Sequence, residues 1–127
     1  MWPFKKKDKN KVNGKFISDH LINQTNSLIG ESRDKLLSFI GDNYHEEKQS
    51  ESMSAIFIPL KNGCISAATI ENDVIFKVNI FLNQEPSEDD LNNCRVFESI
   101  NSNKYHFFSF LEENTGKYTI GFESKLV

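Results

Sequence analysis

Histidine, cysteine and carboxylate side chains are where chemistry would be sought first, and this chain spreads them thinly. Its histidines, His20, His45 and His106, are far apart in sequence. Only His45-Glu46-Glu47 sets an imidazole beside carboxylates. Read as helix, adjacent residues point in different directions, so the tripeptide reads as a cation near a helix C-terminus. There is no H-E-x-x-H, no serine in G-x-S-x-G and no glycine-rich phosphate loop. Cys64 and Cys94 lie in no C-x-x-C pair and near no histidine at metal-ligand spacing, which predicts two buried free thiols and a reducing compartment. No general acid and base pair emerges. The residues therefore point away from an enzyme and call for no cofactor and no metal.

Charge gives a second constraint. Residues 1–15 hold six lysines and one aspartate, a net of +5, leaving nine basic and seventeen acidic residues, a net of −8, in the remainder. So acidic a body repels phosphate backbones, leaving the leader's lysines as the only, salt-sensitive attraction for nucleic acid. A protein partner with a basic surface suits the body better. The leader, "MWPFKKKDKNKVNGK", could place Trp2 and Phe4 at a lipid interface while Lys5, Lys6 and Lys7 meet anionic headgroups, each lysine worth about 1 kcal/mol there. Pro3 prevents a regular amphipathic helix, so such contact would be weak and reversible. The competing expectation is a flexible basic leader with no role. The start of the chain lacks the signal-peptide apolar stretch of about 7–15 residues, and no run approaches the roughly 20 residues needed to span a bilayer. A cytoplasmic protein is expected, peripheral at the inner membrane face if the leader binds lipid.

These features are carried by elements that can be read from periodicity. Residues 1–15 form the leader and 16–127 a single domain, with 38% apolar residues and eleven phenylalanines to supply its core. Phe16 to Ile29 reads as a helix on Ile17, Leu21 and Leu28. Ser32 caps a second, on Leu36, Leu37, Phe39, Ile40 and Tyr44, running to about Glu47. "HEEKQSESMS" reads as a polar linker. "SAIFIPL", "CISAATI" and "VIFKVNIFL" follow as a meander with turns at Asn62-Gly63 and Asn72-Asp73. Ser87 then caps a helix through Ile100 whose first turn is acidic, and "KYHFFSFLEE" and "KYTIGFES" close a hairpin at Asn114-Thr115-Gly116. The expectation is an α+β fold in the order ααβββαββ, with a mainly antiparallel sheet of five strands. That order, over residues 16 to 124, resembles the class I type III secretion chaperones. The resemblance implies a sheet that forms a homodimer and helix grooves that hold a client segment, although the closing helix of that family has no counterpart in this reading.

Both faces of the later strands carry aromatics. Val74, Phe76, Val78, Ile80 and Leu82 alternate with Ile75, Lys77, Asn79 and Phe81, and Tyr105, Phe107, Ser109 and Leu111 alternate with His106, Phe108 and Phe110. One explanation is that the N-terminal helices cover one face and the Ser87 helix the other. The other is an aromatic face left open for a partner, with at least two of Phe57, Phe81, Phe108 and Phe110 partly exposed. An acidic cluster, Glu85, Glu88, Asp89 and Asp90, would steer a basic partner toward the exposed aromatics. Small size, an acidic body and an aromatic surface together give a character similar to that of bacterial immunity proteins, which neutralise contact-delivered toxins. That resemblance implies a cognate toxin domain whose active site is blocked by binding in the cytoplasm.

Overall fold

The computed structural model describes residues 14–125; the expected contacts of Trp2, Phe4, Lys5, Lys6 and Lys7 lie outside the described residues. Among the described residues three helices and six strands follow in order: α1 (Gly14–Leu28), α2 (Arg33–Ile40), β1 (His45–Lys48), β2 (Met53–Pro59), β3 (Ile65–Glu71), β4 (Val74–Leu82), α3 (Glu88–Ile100), β5 (Tyr105–Glu112) and β6 (Lys117–Ser124). The strands form one sheet in the order β1-β2-β3-β4-β6-β5, with every neighbouring pair antiparallel. The α+β class holds, with a sixth strand added.

The added strand is "HEEK", expected as a helix end and linker. Gly41, with φ +68°, ends α2 at Ile40, and His45 to Lys48 then pair in register with Phe57 to Ser54. Backbone ladder bonds, not apolar alternation, hold this edge. Its inward-facing member is Glu46, which accepts from Arg33 Nε at 3.1 Å in place of packing a hydrocarbon. Elsewhere the local chemistry matches the reading. Ser32 and Ser87 accept from the amides of Lys35 and Asp90, and Asn72 and Asp73 both adopt positive φ in the β3–β4 turn.

All three helices lie on the same side of the sheet. Ile17, Leu21 and Leu28 of α1, Leu36 of α2 and Cys94 of α3 share one core with Ile56, Ala68, Ile70, Val78, Ile80, Leu82, Ile120 and Phe122. The expected division of the helices between two faces is thereby overturned. Ile75 also belongs to this core and not to the face shared by Lys77 and Phe81. A bulge makes Ile70 pair with Ile75 while Thr69 pairs with Lys77, so Phe76 is the extra residue and the alternation changes phase there. The polar seam between α1 and α3 centres on Asp90. It is 1% exposed, and its Oδ1 accepts the Ser18 amide at 3.0 Å. Ser87 Oγ donates to its Oδ2 at 3.2 Å.

Candidate aromatic docking face

Side chains on paired residues of an antiparallel ladder project to the same face, so the registers define what the uncovered side of the sheet presents. One row runs His45, Phe57, Ala67, Asn79, Gly121, Phe108 across all six strands. The next runs Pro59, Ile65, Phe81, Thr119, Phe110. A third runs Glu47, Ala55, Thr69, Lys77, Glu123, His106 and carries the charges of Glu47, Lys77 and Glu123. The face is thus divided into an aromatic half and a charged half.

None of Phe57, Ile65, Phe81, Phe108 and Phe110 belongs to the core or packs against it. Phe57, Phe81 and Phe108 are partly exposed, and Phe110 is 51% exposed. The rings organise one another. His45 stacks on Phe57 at 6.2 Å between centroids, Phe57 on Phe81 at 6.1 Å, and Phe108 on Phe110 at 6.1 Å. Lys77 Nζ stands 6.0 Å over the Phe108 ring. Small or short side chains floor the patch, for Ala67, Asn79 and Thr119 are all buried. Gly121 makes the floor deepest. A Cβ there would lie 2.6 Å from Phe108 Cζ and from the Val78 carbonyl oxygen, and closer still to Asn79 Cβ, so glycine lets the Phe108 ring lie down on the strand.

A shallow concavity of about 470 Å³ continues the patch toward β1, lined by Tyr44, His45, Phe57, Pro59 and Ile65 among others. Its rim contains a hydrogen-bonding contact between His45 Nε2 and Glu47 Oε2 at 3.2 Å. The two meet because a strand, unlike a helix, brings residues two apart to one face.

The acidic residues fall into two groups. Glu85, Glu88 and Asp89 are exposed, and Glu85 accepts from Tyr118 OH at 3.5 Å, which ties it to the start of β6. The β4–α3 loop therefore leaves the sheet at the end that carries the aromatic rows, as does the β5–β6 turn with exposed Glu112 and Glu113. Lys61 and Lys117 lie at that end too. Asp90 is not part of this surface. Its burial pushes its carboxyl up to about 6 against the opposing pull of bonds from Ser87 and Ser18, and it serves as a joint between α1 and α3. The reason lies in helix geometry: Ser87 at the N-cap turns Asp90, at N3, back into the capping box while Glu88 and Asp89 face out.

Cys64 and Cys94 are buried free thiols; burial raises both and pushes Cys94 up to about 12, with nearby Asp90 adding to that. Among the described residues no group of three or more His, Cys, Asp or Glu side chains could hold a metal ion. Nor is any helix there long and apolar enough to cross a membrane.

Pro59, Ile65, His45 and Gly121 belong to the face but were not foreseen as part of it. The alternation in "CISAATI" carried a signal for Ile65, whereas Gly121 is defined only by its cross-strand neighbours. No family model, no curated protein and no solved structure matches this chain in comparisons with known proteins.

Proposed function

We propose that the chain is a protein-binding module whose partner docks on the aromatic half of the open sheet face. The observation that supports this reading is the row pattern itself: Phe57, Ile65, Phe81, Phe108 and Phe110 are gathered on one half of a face that no described helix covers. Aromatic anchors of this kind carry most of the energy of protein interfaces, and a contiguous apolar patch costs a soluble protein unless it is used. Glu85, Glu88, Asp89, Glu112 and Glu113 at the same end favour a partner with basic residues around an apolar centre, drawn in by electrostatic steering. The partner class that fits is a toxin domain with a basic surface. The chain then acts as its cytoplasmic immunity protein and neutralises it by occlusion, without chemistry of its own.

A second reading, a homodimeric secretion-type chaperone that holds a client segment, draws on the order of elements from β2 onward. There a three-stranded meander, a helix and a hairpin build the sheet order β2-β3-β4-β6-β5. Co-expression with the product of the adjacent reading frame separates the two. The immunity reading requires a stoichiometric complex that inhibits a toxic activity, weakened at least about 100-fold when Phe57 and Phe81 are both replaced by alanine. A complex of unchanged affinity in that variant would remove the face as the docking site.

A further inference from the structure

The two edges of the sheet are guarded differently. β1 is four residues long, and His45, Glu46, Glu47 and Lys48 put a titratable group at every position, a standard defence against strand addition. β5 is eight residues long and carries no acidic or basic side chain between His106 and Glu112. Its first half is nonetheless closed. The Tyr105 amide donates to Asn101 O at 3.0 Å, and the Phe107 amide donates to Glu98 Oε2 at 2.7 Å, so the end of α3 caps the outward donors there.

Amides alternate along a strand, so those of Ser109 and Leu111 point outward as that of Phe107 does. Beyond Phe107 no helix end among the described residues reaches the edge. Ser109, Phe110, Leu111 and Glu112 are all exposed, with Phe110 on the open face and Leu111, 47% exposed, on the other. An open edge flanked by apolar side chains on both faces is a template for another strand.

We infer that this half-edge pairs with the same half-edge of a second copy, antiparallel about a two-fold axis through Phe110. The register follows from which groups are free. Pairing Ser109 with Leu111 of the second copy, in both directions, satisfies all four outward amides with in-strand carbonyls and leaves the bond from Phe107 to Glu98 intact. Shifting by one pair toward the N-terminus sets Leu111 against Phe107, whose amide is already taken; shifting the other way sets Ser109 against Glu113, which lies beyond the strand. In the chosen register no like charges oppose one another, since Glu112 faces Phe108 and Phe110 faces itself. The two-fold axis stands perpendicular to the sheet, so the aromatic halves of the two open faces join into one patch across it. Association is through a short stretch and is therefore concentration-dependent.

Sedimentation velocity over a wide concentration series tests this. The wild-type chain should pass from monomer to dimer as concentration rises. Ser109→Pro removes one outward donor that the monomer does not use, and should raise the dissociation constant at least about tenfold. Phe110→Cys should cross-link under mild oxidation, because directly opposed residues of a non-hydrogen-bonded pair sit about 4.5 Å apart at Cα. Leu111→Cys, opposed by serine, should not. The buried native thiols do not interfere. A chain that stays monomeric throughout, or a dimer that Ser109→Pro leaves intact and Phe110→Cys does not cross-link, would overturn the pairing. A monomer whose Ser109→Pro variant loses only partner binding would also overturn it and assign the edge to a partner strand. Ser109→Pro leaves every ring of the docking face in place and Phe110→Cys, which removes one of them, is read by cross-linking alone and not by partner binding, so failure here is distinguishable from failure of the docking face.

Discussion

Phe57 on β2 and Phe81 on β4 stack with centroids 6.1 Å apart although β3 runs between them. They bridge over Ala67, which is buried beneath them although no described helix lies above. Each ring gives the other a partner, but both keep a side toward solvent. Such an arrangement contributes to stability only modestly and leaves most of its apolar area for a ligand.

That difference can be measured by paired truncations. Phe81→Ala should cost about 1 kcal/mol, the scale of one aromatic pair. Phe122→Ala, in the core on the opposite face, should cost about 3–5 kcal/mol. Urea denaturation of both variants would show the gap; equal losses would mean that the two faces are equally buried.

Gly121 should be intolerant of any side chain. Gly121→Ala sets a methyl group against Phe108, Asn79 and the Val78 carbonyl, and should destabilise by about 1–3 kcal/mol. Because one of those neighbours is backbone, adding Phe108→Ala should recover only part of the loss. Full recovery would place the whole strain in the ring.

The Asp90 carboxyl is raised to about 6 in the folded chain from an ordinary value of 3.8. Between those values the folded chain holds a proton that the unfolded chain has released. Its contribution to stability is therefore present at low pH and lost as pH rises toward 6, by about 3 kcal/mol in all. Asp90→Asn can still accept the Ser18 amide and should flatten that part of the pH profile, whereas Asp90→Ala should cost about 1–3 kcal/mol by leaving the amide unpaired. Chemical denaturation from pH 4 to 7 would test both; an unchanged slope in Asp90→Asn would contradict the assignment.

Steering makes a kinetic prediction. Reversing Glu85, Glu88 and Asp89 to lysine should slow association with a basic partner far more than it shifts the melting temperature, and wild-type association should weaken with salt. Stopped-flow rates that do not change would remove the rim from the encounter.

Much of this was legible in the chain because local chemistry and final structure agree. Serine caps at Ser32 and Ser87, the Asn72-Asp73 turn and the alternation of β5 each have a physical meaning that needs no tertiary context. That aromatics stand on both faces was legible from the same alternation, but which face stays open was not, since a helix on each side explained Phe108 and Phe110 opposite Phe107 equally well until all the described helices packed into one core. What was hidden depends on partners distant in sequence. β1 is held by a neighbour's backbone and one ion pair to α2, so its residues look like a linker. The bulge at Phe76 reassigns Ile75 to the core. Asp90 looks like its neighbours Glu88 and Asp89 until α1 packs on it and supplies the Ser18 amide.

Quantitative affinity purification from the native host tests the docking face most directly. It would compare the tagged wild-type chain with a Phe57→Ala/Phe81→Ala variant shown to keep its fold, following the product of the adjacent reading frame. Stoichiometric recovery with the wild type and loss with the variant is the predicted result. Equal recovery by both would contradict the claim that the aromatic half of the open face is where the partner binds.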